Sequence, residues 1–122
     1  MIDLTKYHYL FYDFETTGQN PCFDQAIRLS IIETDRTFNI LKKHNINIKL
    51  RNDILPHPKA LLVNKLSIQD LEIGDNEYES FKEIHKIFNS PNTISIGYNS
   101  LNFDDKFLRF GFYRNLLDPY SH

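Results

Sequence analysis

The alternation of apolar and polar positions predicts three β-strands in the first half of the chain. Residues 7–12 are almost continuously aromatic or apolar, which is typical of a strand buried on both faces of a sheet and ending just before Asp13. Residues 26–34 and 44–50 alternate with a period of two, as half-buried strands do. The apolar face of the first of these segments carries Ile27, Leu29 and Ile31.

The second half of the chain has helical periodicity. From Glu77 to Phe88, apolar side chains recur every three or four residues and charged side chains lie opposite them, which predicts an amphipathic helix. Asn76 and Glu79 have the spacing of a capping box at its start. Residues 93–98 predict a further strand, and a last helix is expected from about residue 102.

The order of these elements indicates an α/β fold. Three strands are followed by a short helix expected at residues 58–63, the long helix, a fourth strand and the last helix. Consecutive strands tend to pair antiparallel, whereas a helix that crosses between two strands makes them parallel. We therefore predict a mixed sheet flanked by helices.

The last helix has more apolar residues than one buried face needs. Eight of the fifteen residues between 103 and 117 are large and apolar, and they occupy more than one side of a helix. We expect Phe107 and Phe110 to dock on the sheet. We expect some of the remaining apolar residues to be exposed to solvent, from among Phe112, Tyr113, Leu116 and Leu117.

Composition restricts the class of protein without defining its partner. The 122 residues are 41% hydrophobic, enough for one small domain. Sixteen acidic and fourteen basic residues give a net charge of −2, so no basic surplus indicates nucleic acid. The single cysteine, Cys22, excludes an internal disulfide and a four-cysteine zinc site. No signal peptide or membrane span is recognisable, so a cytoplasmic location is expected.

Asp13 and Glu15 are the first candidates for chemistry. They are two positions apart at a predicted strand end, so both side chains leave the same face with Cα atoms about 6 to 7 Å apart. Paired carboxylates can hold the two cations of a phosphodiester hydrolase. For an isolated Asp-x-Glu, the alternative is a pair of solvated acids at a polar strand end.

A longer pattern around these acids favours the catalytic interpretation. Residues 13–18 read Asp-Phe-Glu-Thr-Thr-Gly, and residues 95–105 contain a short strand, a polar step and Phe-Asp-Asp. Together they resemble the first two motifs of the DnaQ-like exonucleases. Residues 23–25, Phe-Asp-Gln, and the stretch 112–120 resemble the exodeoxyribonuclease I family within that group. This resemblance implies a ribonuclease H-like fold over about residues 9–121.

The resemblance also implies a site and its partners. Asp13, Glu15 and Asp104 fall on the family's ligands for two Mg²⁺ ions, for which Mn²⁺ can substitute. The implied substrate-binding residues are Glu15, Thr16, Thr17, Phe103, Arg109, Arg114 and Tyr120. A core position for Phe103 and ordinary surface positions for the arginines are the alternatives. The implied partners are single-stranded DNA, degraded from its 3′ end to 5′-mononucleotides, and a single-strand-binding protein contacted through domains beyond these residues.

Two departures from the family pattern affect the expected activity. Lys65 stands where the family has a glycine in a loop bordering the 3′-terminal nucleotide, which leaves the role of Leu66 open. The family's third motif is a histidine followed after four residues by an aspartate, and we expect none of the five histidines to supply it. These histidines, interpreted as surface or structural residues, are His8, His44, His57, His85 and His122. We therefore expect residues 1–122 to be the N-terminal part of an exonuclease domain, inactive alone. An inactive remnant, a proofreading subunit and an oligoribonuclease are the alternatives.

Overall fold

The computed structural model describes residues 6–51, 72–97 and 103–119, and these residues form four strands and two helices. In chain order the elements are β1 (His8–Thr16), β2 (Ala26–Thr34), β3 (Ile40–Asn47), α1 (Glu77–Phe88), β4 (Thr93–Gly97) and α2 (Asp105–Arg114). The short helix expected at residues 58–63 and the last residue of the fourth predicted strand, Tyr98, lie outside the described residues.

The four strands form one mixed sheet in the order β3-β2-β1-β4. β1 pairs antiparallel with β2, and β2 pairs antiparallel with β3. β4 returns after α1 and pairs parallel with β1, His8 to Tyr12 lying opposite Thr93 to Gly97. The predicted antiparallel meander with one parallel crossover is therefore confirmed.

β1 differs from its prediction in two respects. It continues through Asp13 and Glu15 to Thr16, because pairing with β2 extends past the apolar segment. It is also buried on one face only, since Leu10 and Tyr12 are buried whereas Tyr9 and Phe11 are half-buried. Similarly, the third strand begins at Ile40 rather than residue 44, because the antiparallel ladder with β2 continues up to the hairpin turn.

Both described helices pack on the face of the sheet that carries Leu10, Tyr12 and Phe14. The ring of Tyr12 contacts Phe88 of α1 edge-on at 5.0 Å, and Phe14 stacks with Phe81 of the same helix at 6.3 Å. The remaining members of this core cluster are Ala26, Leu29, Ile31, Ile46, Ile48, Ile84, Phe107, Leu108 and Phe112. Neither described helix has the length and apolar character needed to cross a membrane.

α1 has the bounds that its periodicity predicts. The side-chain oxygen of Asn76 accepts a hydrogen bond from the backbone N–H of Glu79 at 2.8 Å, which satisfies one of the unpaired donors of the first turn. Phe81, Ile84 and Phe88 are buried against the sheet, whereas Tyr78 is 48% exposed. The apolar stripe of this helix therefore sets the face that it buries.

α2 follows its prediction in part. Phe107 docks in the core as expected, but Phe112 takes the second buried position and Phe110 is 38% exposed. The expectation for Phe110 was wrong because α2 turns its Gly111 and Phe112 side towards Phe81 of α1. Tyr113 and Leu116 are 72% and 95% exposed, as the excess of apolar residues predicted.

Candidate metal and nucleic-acid site

Asp13 and Glu15 lie on the face of the sheet opposite the two described helices. Side chains alternate along a strand, so these acids share a face with Phe11, while Tyr12 and Phe14 point to the core. The same-face prediction is confirmed, although the two acids stand within the strand rather than after it. Asp13 lies opposite Ser30 of β2 in the strand register.

Asp104 reaches this end of β1 from the start of α2. Its side chain is fully buried, and Oδ1 accepts a hydrogen bond from the backbone N–H of Phe14 at 3.1 Å. Among the described residues, β4 pairs with β1 as far as Tyr12 and Gly97, and the next backbone N–H on that edge of β1, that of Phe14, donates to the carboxylate of Asp104. A negative charge next to the first turn of α2 is also favoured by the helix dipole.

The charges at this end of β1 influence one another. Partial burial raises the pKa of Asp13, and the nearby charge of Asp104 raises it further. Burial likewise raises the pKa of the Tyr12 phenol, with smaller contributions from Asp105 and Asp104, and the charge of Arg109 opposes the shift. The carboxylates are therefore close enough to repel one another, and a cation would relieve that repulsion.

Glu15 has a basic neighbour across the strand pair. Arg28 lies opposite it in β2, and Nη1 of Arg28 is 3.2 Å from Oε2 of Glu15. That oxygen is buried and makes no hydrogen bond within the described part of the chain. Arg28 is itself oriented by donating a hydrogen bond from Nε to Oδ1 of Asn47 at 3.0 Å. Arg28 was not among the residues predicted from the sequence, although the strand register identifies it as the partner of Glu15.

The three predicted metal ligands lie at the same end of β1, but they do not form a three-residue cluster. Asp13 and Asp104 are electrostatically coupled, whereas Glu15 pairs with Arg28. Within residues 6–51, 72–97 and 103–119, no three His, Cys, Asp or Glu side chains are grouped closely enough to hold a metal ion. The three side chains nevertheless fit a hard divalent cation, because all are carboxylates, and the buried Oε2 of Glu15 accepts no hydrogen bond among the described residues and has only its ion pair with Arg28.

Thr16, the last residue of β1, and Thr17, which follows it, use their hydroxyl groups for contacts within the loop after β1. Oγ1 of Thr16 donates to the carbonyl of Gly18 at 2.6 Å. Oγ1 of Thr17 donates to Asp24 at 3.0 Å and accepts from the backbone N–H of Gln25 at 2.9 Å. Both threonines are buried. These contacts give them a structural role, and contact with a substrate stays a prediction.

Gly18 has a steric role in the same loop. A Cβ atom at this position would lie 2.5 to 2.6 Å from the carboxyl group of Asp24. That carboxyl group closes the loop by accepting from Thr17 and from the backbone N–H of Asn20. Gln25 then joins the loop to the segment after β3, since its side chain bonds the backbone of Lys49 and Arg51. Asp24 and Gln25 belong to the Phe-Asp-Gln segment that resembles the family, and both side chains hold this loop in place by hydrogen bonds.

The two predicted DNA-contacting arginines bond to the protein itself. Arg109 donates from Nε to Oδ2 of Asp105 at 2.8 Å and from Nη1 to the carbonyl of Pro119 at 3.0 Å. Arg114 makes a two-pronged contact with Glu77 at 2.8 and 3.0 Å. These guanidinium groups stabilise the packing of α2 in this structure. Their contact with DNA stays a prediction.

Phe103 precedes Asp104 and packs at the edge of the core. It is partly buried, and its ring centre lies 5.0 Å from that of Phe107. This contact favours the core interpretation of Phe103. Tyr120, Lys65 and Leu66 lie outside the described residues.

The histidine-to-aspartate spacing of the missing third motif occurs once, at His8 and Asp13. Both residues are in β1, where an odd separation places their side chains on opposite faces. His8 bonds Glu33 through Nδ1 at 3.0 Å. The pair therefore does not reproduce the third motif.

Comparison with known proteins identifies the family. The model of the exonuclease family RNase_T matches residues 10–122. Exodeoxyribonuclease I of Buchnera aphidicola subsp. Schizaphis graminum is 42% identical over 116 residues, which are 93% of this chain and 24% of that protein. The Escherichia coli enzyme of the same name is 37% identical over 115 residues, again 93% of this chain and 24% of that protein. The chain thus spans about a quarter of the length of these relatives.

Solved structures agree with the fold. E. coli exonuclease I in complex with a dT13 oligonucleotide superimposes with a TM-score of 0.89 at 37% identity, covering 94% of this chain and 25% of that one. An ExoI/SSB-Ct complex gives a TM-score of 0.90 with 94% and 26% coverage. The predicted ribonuclease H-like exonuclease fold is confirmed. On the family match, the sequence identity and the shared fold, this chain belongs to the exonuclease family and is homologous to exodeoxyribonuclease I.

Proposed function

We propose that this chain is the N-terminal part of the exonuclease domain of a metal-dependent 3′-to-5′ exodeoxyribonuclease that acts on single-stranded DNA. The observation that carries the proposal is the buried carboxylate of Asp104, bonded to the backbone between Asp13 and Glu15. The homology to exodeoxyribonuclease I supports the nuclease class. The oligonucleotide bound to a solved relative supports the substrate. The enzyme would release 5′-mononucleotides.

Asp13, Glu15 and Asp104 are the proposed ligands of two Mg²⁺ ions, with Mn²⁺ as a substitute. A bound divalent cation supplies an activated water and stabilises the oxygen that leaves the phosphodiester. The N–H of Phe14 fixes one oxygen of Asp104, so the orientation of that carboxylate is set before any ligand arrives. Arg28 compensates the charge of Glu15 until a cation does so.

The residues predicted to contact the DNA strand have less support in the structure than the metal ligands have. Phe103, Arg109 and Arg114 remain candidates only if their protein contacts rearrange, because each is engaged within the fold. The loop that begins at Thr17 directly follows the strand that carries Asp13 and Glu15, so its main chain is the better candidate. A single-strand-binding protein is the proposed protein partner, since a solved relative is an ExoI/SSB-Ct complex.

Metal binding tests the site without requiring turnover. We expect the 122-residue chain to bind Mn²⁺ weakly by electron paramagnetic resonance, and Asp104→Asn or Glu15→Gln to reduce that binding. Glu83→Gln is the matched control, because Glu83 is an exposed acid on α1, which packs on the other face of the sheet. Binding that none of the site substitutions changes would contradict the assignment of ligands.

Turnover is tested on end-labelled single-stranded DNA with Mg²⁺. We expect the 122-residue chain to be at least about 10²-fold slower than the intact E. coli relative, because loss of a general base typically costs 10² to 10⁴. A chimera in which this chain replaces the matched region of that relative should recover activity, and Asp13→Ala should abolish it. An active isolated chain would show that a general base lies within these residues.

A further inference from the structure

Arg28 lies in a row of polar side chains that crosses three strands at the end of the sheet where the proposed metal ligands lie. In the strand register, Glu15 of β1 is opposite Arg28 of β2, and Arg28 is opposite Asn47 of β3. Residues directly opposite one another in neighbouring strands present their side chains on the same face of the sheet. Arg28 therefore shares a face with Asp13 and Glu15 and lies next to the carboxylate of Glu15.

The guanidinium of Arg28 donates a hydrogen bond from one nitrogen only. Its Nε donates to Oδ1 of Asn47 at 3.0 Å, and its Nη1 is 3.2 Å from Oε2 of Glu15. That carboxylate oxygen accepts no hydrogen bond among the described residues, so the contact with Glu15 is an ion pair alone. The N–H groups of both terminal nitrogens therefore have no acceptor in the part of the chain that the structure describes. Their fork geometry matches two oxygens of a phosphate.

Arg28 differs in this respect from the two arginines predicted to contact DNA. Arg109 and Arg114 each donate from two nitrogens to acceptors within the fold. Arg28 donates from one nitrogen, and 36% of its side chain is exposed. An anion can reach its terminal nitrogens without breaking a protein hydrogen bond, and a side chain that is already oriented loses little freedom on binding. Arg28 is therefore better placed than Arg109 or Arg114 to bind a phosphate.

Two asparagines of β3 add neutral donors beside Arg28. Oδ1 of Asn47 accepts from Arg28, and its Nδ2 donates to none of the described residues. Asn45 is exposed and accepts from the hydroxyl of Ser30 at 3.1 Å, and its Nδ2 is likewise without an acceptor among the described residues. Arginine and amide side chains commonly donate to phosphate oxygens. At this end of the sheet, β1 therefore supplies carboxylates for cations, whereas β2 and β3 supply donors for an anion.

We propose that Arg28 binds a backbone phosphate of the DNA strand beside the metal carboxylates, and that Asn47 positions its guanidinium. This inference rests on the proposed function, because the strand must reach Asp13 and Glu15 to lie within range of Arg28. A cation bound to Glu15 strengthens the contact, since it takes over the charge with which Arg28 pairs. The net charge of the chain is −2, so attraction of phosphate depends on individual cationic groups near the site.

Binding of oligo(dT) to the 122-residue chain in the presence of a chelator tests the proposal without turnover. Amide chemical shifts give the Kd at about 50 and 200 mM NaCl, and the dependence of log Kd on log salt reports the number of phosphates contacted. Arg28→Gln should weaken binding at the lower salt concentration by about two- to fivefold, the range of an exposed ion pair. It should also reduce the salt slope by about 0.7, which corresponds to one phosphate of a single strand. Arg28→Lys keeps the charge and should keep the slope.

Arg36→Gln is the matched control, because it removes the same charge from an exposed arginine in the β2–β3 turn, at the other end of β2. The control should leave the salt slope unchanged. A parent slope in Arg28→Gln would overturn the proposal, as would a parent chain that binds no oligo(dT) at the lower salt concentration. An equal loss of slope in Arg36→Gln would also overturn it, because net charge alone would then attract the DNA.

Electron paramagnetic resonance of Mn²⁺ separates this proposal from the proposed function. Arg28→Gln should bind Mn²⁺ at least as tightly as the parent, because it removes a positive charge that pairs with Glu15. Glu15→Gln should bind it less tightly. If Glu15→Gln weakens Mn²⁺ binding and Arg28→Gln leaves the salt slope unchanged, the metal site stands and the phosphate contact is wrong. Weaker Mn²⁺ binding in Arg28→Gln would also overturn the proposal, because Arg28 would then act on the metal site instead of on the DNA.

Discussion

Gly111→Ala tests how α2, and with it Asp104, is positioned. Gly111 lies inside α2, where alanine normally stabilises a helix by about 1 kcal/mol relative to glycine. Here a Cβ atom would fall on the ring of Phe81, with Cδ1 at 2.7 Å and Cε1 and Cζ closer still. The missing side chain is therefore what allows α2 to approach α1.

The magnitude follows from how little Phe81 can move. Its ring is 1% exposed, stacks on Phe14 at 6.3 Å and meets Phe112 edge-on at 5.9 Å. Overpacking a core costs about 1 to 3 kcal/mol, and a ring fixed on two sides favours the upper part of that range. After the helix-propensity gain of about 1 kcal/mol is subtracted, we expect Gly111→Ala to lower the free energy of unfolding by about 1 to 2 kcal/mol.

Urea unfolding followed by far-ultraviolet circular dichroism measures this change, since the chain has no tryptophan to report by fluorescence. Phe81→Leu provides the control in a double-mutant cycle, because a smaller side chain makes room for the new methyl group. We also expect faster hydrogen exchange at the Phe14 amide in Gly111→Ala, since that amide donates to Asp104. Stabilisation by Gly111→Ala, or strict additivity with Phe81→Leu, would refute the reasoning.

Three further substitutions test the contacts around the site. Glu77→Ala should lower the free energy of unfolding by about 1 to 3 kcal/mol, because it leaves the guanidinium of Arg114 without its two-pronged partner; a variant as stable as the parent in urea would contradict this. Asp13→Asn should raise the free energy of unfolding at neutral pH, measured in the presence of a chelator, by less than about 1 kcal/mol. Its raised pKa means that the folded chain holds a proton the unfolded chain has already lost, so stability falls as pH rises through the folded pKa, and the gain should vanish in acid. Gly18→Ala should destabilise the loop by about 1 kcal/mol by displacing the carboxyl group of Asp24, and an unchanged urea midpoint would show that Asp24 can move freely.

Periodicity in the sequence determined the elements and the face each one presents. The 3.6-residue repeat defined α1 from Glu77 to Phe88, and alternation defined β2 from Ala26 to Thr34 with the same bounds that the structure has. The spacing of Asp13 and Glu15 correctly placed both acids on one face of β1. These properties are local, because they depend on which side of a helix or strand a residue occupies.

Tertiary structure alone decided which distant groups meet. Asp104 bonds a backbone group 90 positions away, and Arg114 pairs with a residue 37 positions before it. The family resemblance predicted that Arg114 contacts DNA. The packing of α2 on α1 instead places the buried Glu77 beside it, and a buried charge is costly unless an opposite charge pairs with it. The apolar sequence of residues 7–12 likewise predicted a strand buried on both faces. Both described helices pack on one face of β1, and Tyr9 and Phe11 lie on the other. Side-chain chemistry was visible in the sequence, but its partners depend on how helices and strands pack, and no local repeat encodes that packing.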